Sequence, residues 1–205
     1  MTKKIILVPG TFNPITNAHI KMGINGKATI NADEVIYIPS KDSFLNSWKE
    51  MSSNSIMPSA LRIKLIEEAV KPYGFKVSDI EAKEIVSGKT YDTANYFKKE
   101  NPDSEIYLMF GLDNLFDIDR WYRSEELIKE NNFLIVGRYN KAIPEEIANQ
   151  ERFKNKLHFV VNDDFNDISS TIIRNAYLNN EIETIKDKVP NNVYEYLLNT
   201  KEVYK

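Results

Sequence analysis

Short, almost purely apolar runs alternate with amphipathic stretches along nearly the whole chain. Ile5–Val8 is an unbroken Ile/Leu/Val run, and Ile106–Phe110 is nearly so. Continuous hydrophobicity over so few residues predicts strands buried on both faces, as in a parallel sheet. Strands are expected at Ile5–Val8, Glu34–Ile38, Phe75–Val77, Glu105–Phe110, Phe133–Gly137 and Leu157–Val161. Helical periods separate them. Pro58-Ser59 precedes the apolar positions Leu61 to Val70, with the proline expected in the first turn. Further helices are expected over Thr90–Lys99 and Ser124–Lys129, after Ser169-Ser170, and after Asn191-Asn192. Ala18–Ile30 reads as helical despite Gly23 and Gly26, each costing about 1 kcal/mol in a helix interior. Strands alternating with helices imply an α/β fold, a parallel sheet flanked by helices. One domain over 1–205 is expected, with 169–205 a small C-terminal helical part. Ser40–Ile56 is polar and reads as a long loop of the kind that often carries function.

Composition narrows the chemistry. The chain has 205 residues, 42% hydrophobic, with a net charge of −3. That balance disfavours a nucleic-acid footprint, which needs a basic face, but not a small anion held by a few local cations. No apolar stretch approaches the roughly 20 residues of a membrane span, and Ile5–Val8 before Pro9 is too short for a signal-peptide core. Cys 0 excludes disulfides and thiolate chemistry, and His 2 argues against a histidine-rich metal site. No metal site of the protein's own and a cytoplasmic setting are the expectations. Homo-oligomer formation is left open.

Neither common phosphate fingerprint is present. Gly23–Ala28 lacks the glycine spacing and terminal hydroxyl of a P-loop, and no G-x-G-x-x-G occurs. The first strand instead runs into Val8-Pro9-Gly10-Thr11-Phe12-Asn13-Pro14-Ile15-Thr16-Asn17-Ala18-His19. Ligands of open parallel sheets bind beyond the strands' carboxyl ends. Gly10 permits close backbone approach, Asn17 can cap the next helix, and His19 falls in its first turn, where amides and dipole favour anions. An ordinary strand-to-helix loop with a packed histidine reads equally well. A second constellation is Asn166-Asp167-Ile168-Ser169-Ser170-Thr171-Ile172-Ile173-Arg174, whose hydroxyls, helix-start amides and guanidinium suit phosphate oxygens. A serine-capped amphipathic helix with a surface arginine is the alternative.

Taken together, the two segments resemble the nucleotidylyltransferase superfamily. Its G-[TS]-F-x-P-x-[HT]-x-x-H loop stands here as Gly10–His19, and its I-S-[ST]-T-x-[IL]-R helix start as Ile168–Arg174. Within that group the chain looks like a nicotinate/nicotinamide mononucleotide adenylyltransferase over essentially its whole length, supported by Gly111-Leu112-Asp113, Trp121 and Thr90-Tyr91-Asp92-Thr93. The resemblance implies a Rossmann-like sheet. There are departures. Thr16 stands where bacterial members usually carry histidine, Pro9 replaces a common glycine, and the basic loop is missing, with Lys49 its nearest counterpart.

The implied reaction joins a mononucleotide phosphate to the α-phosphate of ATP and expels pyrophosphate. The attacking phosphate is largely ionised at neutral pH, its second pKa being ~6, so no general base is required. By resemblance His19, Arg174 and Lys49 are the catalytic cations. Gly10, Thr11, Phe12, Thr16, His19, Gly111, Asp113, Asn166, Ser169, Ser170, Thr171 and Arg174 bind ATP, with Mg2+ carried on its phosphates. Phe12, Asn13, Thr90, Thr93 and Trp121 bind nicotinate or nicotinamide mononucleotide, Trp121 stacking on the pyridine ring. His158 is expected to be structural. Another phosphorylated acceptor, or a nucleotide sensor without turnover, are the competing readings.

Overall fold

The computed structural model describes residues 2–43, 56–137, 142–161 and 167–204. A six-stranded sheet runs β1 (Lys3–Gly10), β2 (Glu34–Pro39), β3 (Lys76–Val77), β4 (Ser104–Gly111), β5 (Asn132–Gly137) and β6 (Leu157–Val161). Its order is β3-β2-β1-β4-β5-β6, with every neighbouring pair parallel. The α/β, Rossmann-like expectation holds. The strands outrun their apolar cores because backbone pairing continues through polar residues: Lys3 pairs with Ser104 and Lys4 with Glu105. At the edge, β3 is shorter than its hydrophobic run.

The helices placed within the described residues include α1 (Asn17–Ile30), α2 (Ser59–Val70), α3 (Thr90–Glu100), α4 (Leu112–Phe116), α5 (Ser124–Glu130), α6 (Glu145–Ala148), α7 (Ser170–Leu178) and α8 (Asn191–Asn199). Successive β1 side chains serve opposite layers. Ile6 and Val8 join a core with α1, α2, α7 and α8 residues such as Ile20, Ile66, Ile173 and Leu197. Ile5 and Leu7 face Ala94, Phe97, Leu127 and Ile128 from α3 and α5. Burial on both sides explains the unbroken apolar runs. The C-terminal helices therefore share the core of the central strands.

Helix α1 tolerates its glycines because they lie against the sheet: a β-carbon at Gly23 would strike the Tyr37 hydroxyl, and one at Gly26 the Met109 methyl. Two local expectations are corrected. Thr16, not Asn17, is the N-cap of α1, since the Asn17 side chain donates to the carbonyls of Asp187 and Val189. Pro58 occupies the N-cap of α2 rather than its first turn. Among the described residues no helix is long and apolar enough to cross a membrane.

Candidate active site

Beyond β2 and β3 the chain returns to lay β4 beside β1, so the sheet's order reverses between these two strands. Connections leave them in opposite directions and open a crevice at their carboxyl ends. A cleft of about 330 Å³ lies there, lined by Pro9 and Gly10 at the end of β1 with Thr11 beyond it, by Ser40 after β2, and by Phe110 from β4. Its far wall is Glu81, Gly88, Lys89, Thr90, Asn114, Arg120, Trp121 and Tyr122.

The β1–α1 loop is held through its own carbonyl groups. Gly10 accepts from the Ser40 amide at 2.9 Å, Thr11 from Arg62 Nη1 at 2.6 Å, Asn13 from Arg174 Nη1 at 2.9 Å, and Pro14 from the Ser170 hydroxyl at 2.8 Å. In a trans peptide the N–H opposes the C=O, so anchoring the Gly10 and Thr11 carbonyls inward turns the Thr11 and Phe12 amides the other way. Gly10 is required where it stands, because the Phe12 ring folds back over it and a β-carbon would meet that ring. Phe12 is buried at φ 47°, its ring 5.2 Å from the His19 ring and 5.5 Å from that of Tyr37.

At the start of α1, His19 takes the role that Glu or Gln plays in an ordinary capping box. Its Nδ1 accepts the Thr16 amide at 3.1 Å and lies 2.8 Å from the Thr16 hydroxyl. With Nδ1 an acceptor, the ring proton belongs on Nε2. Thr16 is buried, and this pairing supplies a physical reason for threonine in place of histidine there.

The second motif meets the first. Ser169 caps α7, its hydroxyl accepting from the Ile172 amide at 3.3 Å. Arg174 bridges Asn13 and the Thr171 hydroxyl, and burial pulls its guanidinium below the usual arginine value while leaving it charged at neutral pH. His19 and Arg174 do not line the cleft; they are tied to the same loop a few residues further on.

The remaining predicted residues separate. Thr90 and Trp121 line the cleft, Trp121 packing on Phe110 at 5.2 Å. Gly111 and the exposed Asp113 stand at the carboxyl end of β4. The Asn13 and Thr93 side chains are not brought to the cleft. Asn13 Oδ1 accepts the Met57 amide at 3.0 Å, and the Thr93 hydroxyl donates to Glu81 at 2.8 Å. Lys49 and Asn166 lie outside the described residues. His158 packs edge-on to Tyr107.

Two residues escaped the sequence reading. Arg62 is 1% exposed and joins three segments through Met57 O, Thr11 O, and Ser40 O with Asp42. A signal existed: Arg62 occupies the buried stripe of α2 with Leu65, Ile66, Ala69 and Val70, and a charge on such a stripe needs partners. Glu81 is 3% exposed, and desolvation lifts its carboxyl to about 6 against the lowering effects of Thr93 and Lys41. Nothing in its irregular turn announces it.

This crevice, with anchored backbone on one side and aromatic and charged groups on the other, is the arrangement of a nucleotide-transferring α/β enzyme. The chain belongs to the cytidylyltransferase-like family, whose pattern matches residues 7–176. Within it the chain falls among the nicotinate-nucleotide adenylyltransferases. It is 32% identical over 206 residues to a Clostridium acetobutylicum protein described as "Probable nicotinate-nucleotide adenylyltransferase", covering 97% of this chain and 98% of that one. A Staphylococcus epidermidis protein of the same description is also 32% identical, over 96% and 95% of the two chains. The fold matches Plasmodium falciparum nicotinic acid mononucleotide adenylyltransferase complexed with APC, at TM-score 0.79 and 22% identity over 99% of this chain and 98% of that one.

Proposed function

We propose that the protein transfers the adenylyl group of ATP to nicotinate mononucleotide, releasing pyrophosphate and forming the pyridine dinucleotide. The observation that carries this reading is the docking of Arg174 and Ser170 onto the Asn13-Pro14 carbonyls, which brings the two phosphate-binding motifs to one loop. Membership among the nicotinate-nucleotide adenylyltransferases supports the acid as acceptor.

In this reading the mononucleotide phosphate, already ionised, attacks the α-phosphorus of ATP, and the bond to the departing pyrophosphate breaks. The chain aligns the two phosphates and offsets the charge gathering on the leaving group. His19 donates through Nε2 and Arg174 supplies fixed positive charge. Thr11 and Phe12 present backbone amides, and Ser169, Ser170 and Thr171 hold the α7 start in place. Lys49, Asn166, Gly111 and Asp113 complete the ATP side by family likeness. The pyridine ring lies in the cleft against Trp121, with Thr90 at its edge. Mg2+ enters on the triphosphate, whose phosphate oxygens are natural magnesium ligands.

Pyrophosphate release from ATP, measured with nicotinate mononucleotide, nicotinamide mononucleotide and phosphopantetheine in turn, tests the reading. Release is expected with the pyridine mononucleotides and fastest with the acid. Release only with phosphopantetheine, or ATP binding without release on any acceptor, would overturn it.

A further inference from the structure

The far wall of the cleft carries a buried carboxylate that the transfer chemistry leaves unused. Glu81 lines the cleft beside Thr90, Trp121 and Tyr122. Its Oε1 accepts the Thr93 hydroxyl, and among the described residues Thr93 is its only hydrogen-bonding side-chain partner. No hydrogen bond from a described residue reaches Oε2, and Oε2 is not an enclosed atom of this cleft-lining side chain. The charged groups facing it are few. Lys41, from the loop after β2, approaches Glu81 but pairs with Glu84 at 3.6 Å. Lys89 caps α3, and Arg120 shares the cleft lining with the Tyr122 phenol.

This wall stands at the aromatic end, where the adenylyl-transfer reading puts the pyridine ring. Two carboxylates sharing a poorly solvated site cannot both stay ionised. A protonated carboxyl can donate to a neighbouring carboxylate, whereas an ionised one accepts only. We infer that Glu81 makes the choice between a ring carboxylate and a ring carboxamide depend on a proton. The acid enters together with a solvent proton that settles on Glu81; the amide enters against the ionised side chain, to which its NH2 donates. Because burial holds Glu81 near about 6 in the free protein, the proton is within reach at neutral pH. Glu81 is thus a specificity residue for the ring, beyond the phosphate-handling groups.

The inference rests on the adenylyl-transfer reading, and one experiment separates the two. Calorimetric titration of the full-length protein at pH 7, in two buffers of different ionisation enthalpy, counts the protons taken up with each mononucleotide. The phosphate titrates alike in both ligands and cancels in the difference. Net uptake is expected with the acid over the amide, and affinity for the acid alone should fall toward tenfold per pH unit above 6. Equal proton counts for the two ligands overturn the inference while leaving adenylyl transfer intact. Binding of neither mononucleotide overturns both. E81Q keeps an acceptor for Thr93 and should erase the acid–amide difference in proton uptake; a difference that survives in E81Q assigns it elsewhere and defeats the proposal. Should that variant fail to fold, the wild-type comparison alone decides.

Discussion

The two ends of the site are built on different principles. At the phosphate end the chain supplies a loop whose carbonyls are engaged one after another, by Ser40, Arg62, Arg174 and Ser170. In the proposed function the phosphates there depend on backbone position, and groups two or more elements away hold that backbone. At the ring end the wall is made of side chains, Glu81, Trp121, Tyr122 and Arg120, set on turns and short helices. The first arrangement suits a ligand part common to every nucleotide, where geometry and charge matter most. The second suits the part that distinguishes one acceptor from another.

That contrast can be broken by substitution, most severely at Arg62. Removing it leaves Asp42 with only the Ser59 amide and takes a donor from the carbonyls of Thr11, Ser40 and Met57. Arg62→Met should cost on the order of 3–5 kcal/mol in denaturant unfolding, and Arg62→Lys should not restore it, because an ammonium cannot reproduce the guanidinium fork. A variant as stable as the parent would show that the loop needs no such anchor.

His19→Ala comes next. Loss of a donor to developing phosphate charge should lower kcat by roughly 10²–10³-fold with the circular dichroism spectrum retained. A change confined to KM would place His19 in substrate binding instead.

The third test concerns stability. Burial raises the Glu81 carboxyl from 4.5 to about 6, so the folded state holds this proton more tightly than the unfolded chain. Its contribution is fully present below pH 4.5 and is lost as pH rises through 6, a change of about 2 kcal/mol. E81Q should abolish that part of the pH dependence of unfolding, leaving the variant relatively more stable at pH 7. A parallel pH profile in both proteins would deny the shift.

The smallest effect is at Trp121, where Trp121→Ala should raise the KM for mononucleotide about tenfold through lost stacking and leave kcat nearly unchanged. An equal loss in kcat would mean that the two ends are not separable.

The same division governs what could be read from the chain. Gly10–His19 and Ile168–Arg174 are contiguous segments to which the proposed function gives one job, so their residue types cluster in sequence, and the structure joins them at Asn13 and Pro14. The apolar strands were legible because burial on both faces leaves no alternation to misread. The α1 glycines looked like helix breakers only because Tyr37 and Met109, which press against them, belong to strands distant in sequence. Thr93 reads as a ring contact until Glu81, on a separate turn, is seen to take its hydroxyl. Arg62 was readable in principle, as a charge on an apolar stripe. Glu81 was not, since its meaning depends on a cleft assembled from six separate stretches of chain.

Transfer of label from ATP bearing a marked α-phosphate tests the account most directly. With nicotinate mononucleotide present, the label should pass into the pyridine dinucleotide in step with pyrophosphate formation, and the transfer should collapse in His19→Ala. Label recovered only as unchanged ATP or as free AMP, by a folded protein that binds both substrates, would contradict it.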